Sequence, residues 1–79
     1  MTTQELLANK GKAIESAHYE AKACFWKNLP ERSRETHYSR FIAICQTLEL
    51  LGLEKDWKVL ANDIWESEYC DSVINGKGN

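Results

Sequence analysis

The sequence predicts an all-α fold, a small three-helix bundle with antiparallel neighbouring helices, and three observations carry that expectation. Apolar residues recur at the helical period in three successive segments. Punctuation between them is sparse: one proline, Pro30, and two interior glycines, Gly11 and Gly52. No run alternates apolar and polar residues as a half-buried strand would. With 79 residues the chain is one small domain, residues 1–79, and a core of that size is marginal, burying about 60% of the surface its unfolded form exposes. Its 43% of apolar and aromatic residues is nonetheless too high for a disordered tail.

The first helix is expected over about 3–27. Thr2-Thr3-Gln4-Glu5 sets a hydroxyl three residues before a carboxylate, a capping box that satisfies free N–H groups at a helix start. Leu7, Ile14, Ala17, Ala21, Cys24 and Phe25 form one stripe, with Leu6 and Ala13 at its edge. The small residues let a neighbouring helix approach closely. Tyr19 and Trp26, with Ala23 nearby, point to one side of that stripe.

The second helix is expected over about 30–51. In Asn28-Leu29-Pro30-Glu31, asparagine caps, proline fits the first turn and glutamate answers from N3; a start at Ser33 is the other option. Tyr38, Phe41, Ile42, Ile44, Cys45, Leu48 and Leu51 cover about half the circumference, wider than the ~100° stripe of a surface helix and suited to a central one. Gly52 can take the left-handed conformation that closes a helix, making Leu53 C″ and Leu48 C3 of a Schellman turn.

A tight turn then leads to the third helix, expected over about 55–75 and followed by a tail, 76–79. Trp57, Leu60, Ala61, Ile64 and Trp65 make its core stripe. Beyond Glu66 the apolar residues Tyr69, Cys70, Val73 and Ile74 leave that stripe for the side of Val59. Two arrangements account for this. The helix breaks near Ser67 and folds back, or it is continuous, with a second apolar face that pairs with another chain as a homodimer through the third helix.

Chemistry has no visible seat in the chain, and neither catalytic nor cofactor-binding residues are expected. Cys24, Cys45 and Cys70 are neither paired in a CxxC nor even in number, so zinc and redox signatures are lacking and a reducing, cytoplasmic setting is expected. Neither a signal peptide nor a membrane span is legible. Cys24 and Cys45 fall in core stripes, where a thiol acts as a small apolar group, and Cys70 is the thiol expected to react. Glu15-Ser16-Ala17-His18 has the Glu-x-x-His spacing of di-iron bundles. Its second copy is missing because Arg34 stands three residues before His37, so no metal site is expected.

Charge is uneven along the chain. Residues 10–40 carry a net +3 and residues 49–71 a net −5, within a total of −2. The function expected from the sequence is therefore non-enzymatic: a small protein-protein interaction module acting as an adaptor, a regulator or an inhibitor of a larger complex. Its candidate contacts are Tyr19, Trp26, Val59, Tyr69, Cys70, Val73 and Ile74, aromatic and apolar groups outside the core stripes. The alternative is a helical nucleic-acid-binding regulator that uses Lys22, Lys27, Arg32, Arg34 and Arg40 with His37. In that alternative the third helix would repel phosphates through Asp56, Asp63, Glu66, Glu68 and Asp71.

Overall fold

The structure is a computed structural model that describes residues 3–74, the side chains of Thr3, Leu6 and Leu7 excepted. It is a small all-α bundle of three helices: α1 (Thr3–Ala23), α2 (Glu31–Leu50) and α3 (Trp57–Ile74). The Thr2 end of the expected capping box, the Leu6 and Leu7 stripe positions, the third helix's expected end at Asn75 and the 76–79 tail lie outside the described residues and side chains.

Contacts fix the directions of the helices. Along α1 and α2, Arg34 meets Cys24 and His37 meets Glu20, while Ala13 and Ile44 line one cleft, so the two run antiparallel. Along α2 and α3, Glu49 meets Trp57 and Phe41 meets Trp65, again antiparallel. Lys10 pairs with Glu54 at 3.2 Å and His18 with Glu68, which sets α1 and α3 parallel. Every helix pair is in contact.

α1 ends four residues earlier than its apolar pattern predicts. After Ala23 the backbone tightens into three successive i→i+3 bonds, from Cys24 N to Ala21 O, Phe25 N to Lys22 O and Trp26 N to Ala23 O. Asn28 then takes φ 36°, a left-handed conformation that asparagine tolerates better than most residues, and Pro30 keeps Leu29 out of the helical region. The expected asparagine cap is corrected as well. Pro30 itself is the N-cap of α2, with no side-chain capping bond, and Asn28 stands two residues outside the helix.

The turn after α2 follows the expected Schellman pattern. Gly52 has φ 77°, its N–H donates to Glu49 O at 2.9 Å, and Leu53 N donates to Leu48 O at 2.9 Å. α3 begins one or two residues later than predicted, where Asp56 Oδ1 accepts from Lys58 N at 2.9 Å as an N-cap should. Glu49 Oε2 accepts from Trp57 N at 2.7 Å, so α2 caps α3 as well as itself.

The core is built on Ala17, Ala21, Phe41, Cys45, Ala61 and Ile64, with Ile14, Ile42, Leu60, Trp57 and Trp65 packed around it. Two alanines on α1, both fully buried, bring α2 and α3 close. Tyr38 and Leu51, expected in the wide α2 stripe, are instead exposed at its edges, and Ala23, expected off the core stripe near Tyr19, is fully buried. α3 does not break at Ser67: it is one continuous helix to Ile74. Its core stripe continues past Trp65 through a glutamate, Glu68, which is buried. Among the described residues no helix is long and apolar enough to cross a membrane.

Candidate docking groove

Where α1 ends, the chain passes over the start of α2 and leaves an open groove of about 650 Å³ between those segments and α3. Phe25, Tyr38 and Trp65 form its floor, with Cys24 at the base; Glu31, Arg34, Glu35 and Ser39 form its α2 side. The floor is a contiguous aromatic stack. Phe25 and Trp65 have centroids 4.7 Å apart, and Tyr38 meets Trp65 edge-on at 5.5 Å. Tyr69 extends it, 5.8 Å from Phe25 and half exposed, and Val73 stands one turn further along α3, 58% exposed. Tyr38 and Trp65 also wall a second cleft of about 380 Å³ that runs on toward Trp57. The two clefts share one aromatic divide and form one elongated apolar surface.

Arg34 holds the groove's shape. Its Nε donates to Cys24 O at 3.0 Å and its second terminal nitrogen to Trp26 O at 3.2 Å, satisfying carbonyls that the end of α1 leaves without helical partners. The remaining nitrogen pairs with Glu31 at 3.3 Å. The planar fork of arginine suits such a three-way clamp in a way an ammonium does not.

Two carboxylates are taken into the bundle. Glu20 and Glu68 are both buried. His37 Nδ1 is 2.8 Å from Glu20 Oε1, and His18 Nδ1 is 2.7 Å from Glu68 Oε2. An ionised carboxylate only accepts, which places a proton on Nδ1 in each ring. Each pair bridges two helices, α1–α2 and α1–α3. Both glutamates were findable: Glu20 continues the series Ala13, Ala17 at the core spacing, and Glu68 continues Trp57, Ala61, Ile64.

The sequence-predicted residues divide into groups. Tyr19 and Trp26 do meet, edge to face at 5.8 Å, and both also pack on the His37 ring. Trp26 is half-buried. Tyr69, Cys70, Val73 and Ile74 lie exposed together on the last turns of α3. Val59 is exposed too but stands fourteen residues from Val73, about 21 Å along the helix, with Asp63 and Glu66 between. It does not join the patch. Leu50, among the most exposed apolar side chains and absent from the sequence-based candidates, sits at the far end of α2.

The basic region is partly spent within the fold. Arg34 is the clamp just described, His37 holds Glu20, and Arg40 lies 4.0 Å from the same carboxylate. Lys22, Lys27 and Arg32 remain exposed. Glu15 and His18 do not act together, since His18 turns to Glu68. Among the described residues no group of three or more His, Cys, Asp or Glu converges as metal ligands would.

All three thiols are free. Burial raises the Cys24 pKa above the ordinary 9.0; the nearby Arg34 charge opposes this and the Glu20 charge adds to it. The Cys24 thiol lies 3.4 Å from the Glu20 carbonyl oxygen. Burial likewise raises Cys45, helped by the Glu54 charge. Both are thereby kept as thiols at neutral pH, the form that is a poor nucleophile. No protein-family model, curated protein or solved structure matches the chain.

Proposed function

We propose that the chain is a non-enzymatic protein-docking module, an adaptor, regulator or inhibitor of a larger assembly, that works in a reducing, cytoplasmic setting. One observation carries this reading: the continuous apolar surface from Tyr38 through Trp65 and Phe25 to Tyr69 and Val73, left open to water on a domain that has little apolar surface to spare. Contiguous exposed apolar surface on a small monomer marks an interaction site. Aromatic side chains at such a site combine large contact area with little rotamer entropy to lose. Tyr69, Cys70, Val73 and Ile74 belong to this surface; Tyr19 and Trp26 form a smaller satellite beside it.

Nucleic-acid binding is the weaker reading, because the exposed candidate cations, Lys22, Lys27, Arg32 and Arg40, the last already beside Glu20, neutralise too few phosphates for useful affinity. Site-specific photocrosslinking in the native host tests the proposal. A benzophenone side chain at Tyr38 or Tyr69 is expected to capture a discrete protein that a benzophenone at Lys12, on the outward side of α1, does not. Identical adduct patterns from all three positions would remove the basis for a docking surface.

A further inference from the structure

We infer that the partner element seated in the groove is an amphipathic helix that presents a lysine or arginine to Glu35. The inference rests on the docking reading above and adds the shape and charge of what docks. Shape comes first. The two joined clefts are lined from Glu31 to Ile42 along α2, about 16 Å of helix, which matches three turns of a partner helix laid alongside. A fourth helix against α2 and α3 would cover the exposed part of Tyr38 and the half-buried Trp65 as helix-in-groove complexes do, with anchors spaced three and four residues apart.

Charge then selects among such helices. The α2 side of the groove holds Glu31, Arg34 and Glu35. Arg34 is committed to Cys24 O, Trp26 O and Glu31, so the two opposite charges of Arg34 and Glu31 offset each other. Glu35 forms no hydrogen bond or ion pair among the described residues and is exposed. It is a negative charge with no ion-pair partner among the described residues, on the rim of an aromatic-lined groove, a setting that favours a cation on the docking element. A second copy of this chain is disfavoured for the same reason. The α3 segment that carries its exposed apolar end also carries Asp63 and Glu66, like charges to Glu35. A basic helix therefore fits this groove better than a second copy does.

The test is selection from a displayed library of helical peptides, about 18 residues long, with leucines fixed at anchor spacing and all other positions random. The full chain is the bait. Recovered helices are expected to be enriched in Lys and Arg flanking the anchors, and selection on the Glu35→Lys chain to shift that enrichment to Asp and Glu. For a synthetic winner measured by fluorescence anisotropy, exchanging its basic residue for glutamate is expected to weaken binding about threefold or more, in proportion to a surface charge contact. Ser39→Arg, an exposed change that crowds the rim, is expected to abolish binding with the helical spectrum unchanged. Equal recovery of acidic and basic flanks, an unchanged preference on Glu35→Lys, or no binder at all would overturn the inference. A discrete photocrosslink at Tyr38 with any of those results would leave the docking module standing and reject only the basic helix. The sedimentation coefficient of the chain alone is expected to be that of a monomer, and a dimer dispersed by Val73→Asp would favour the second copy instead.

Discussion

Replacing His37 with alanine should unbalance a charge that the bundle has taken out of water. The Glu20 carboxylate is 8% exposed and has two neighbours. His37 Nδ1 is 2.8 Å from one oxygen; Arg40 is 4.0 Å from the other, on a side chain that is 64% exposed and therefore screened. The histidine thus carries most of the compensation. Leaving a buried acceptor without its donor costs about 1–3 kcal/mol, and about 2 is appropriate here because Arg40 remains. A chain of this length has a total stability of roughly 4–12 kcal/mol, so the change removes a large share of it. At about 4–8 °C per kcal/mol the melting temperature should fall by roughly 8–16 °C. Part of that loss is ring packing against Tyr19 and Trp26, which a second substitution separates. Glu20→Met fills the same space without charge. Placed on His37→Ala, it should restore at least about 1 kcal/mol, because the orphaned carboxylate is gone. Urea denaturation of the wild type, both single variants and the double variant closes the cycle. Single-variant effects that add within about 0.5 kcal/mol would mean that Glu20 does not depend on His37, and the argument from burial would fail.

Five further outcomes follow from the structure. Glu68→Ala should destabilise by about 2 kcal/mol while its exposed neighbour Glu66→Ala changes stability by less than about 0.5, compared by thermal melts; parity between them would contradict the burial of Glu68. Gly52→Ala should cost about 1–2 kcal/mol at unchanged urea slope, since nothing lies within 4 Å of the added Cβ and only the φ of 77° opposes it. Arg34→Lys should fail to restore what Arg34→Met loses, about 1–3 kcal/mol, because an ammonium cannot span both carbonyls; full rescue in equilibrium denaturation would refute the clamp. A thiol reagent should modify Cys70 alone in the folded protein. Because the raised Cys24 and Cys45 pKa values favour the protonated folded state, stability is fully present below the unfolded thiol value near 9.0 and is lost as pH rises past it. Cys45→Ala should flatten that alkaline decline, read by urea midpoints across the pH range.

Local chemistry made much of this architecture legible from the residues alone. Helical periodicity marks three segments, and Gly52 with Leu48 and Leu53 specifies the turn between the last two, because a Schellman closure depends only on residues within one short stretch. The buried identities of Phe41, Cys45, Ala61 and Ile64 follow from the same periodicity. What decided the rest is contact between residues far apart in the chain. A glutamate in core register reads as an anomaly until the histidine opposite it is known, and His37 lies 17 residues from Glu20 while His18 lies 50 from Glu68. Arg34 reads as part of a basic patch until the end of α1 is seen to need its donors. Tyr38 reads as core until α3 is placed and leaves its ring at the rim of a groove. Periodicity reports which side of a helix is apolar; only the packing of three helices determines which part of that side is covered, which charges are neutralised, and which rings are left for another molecule to cover.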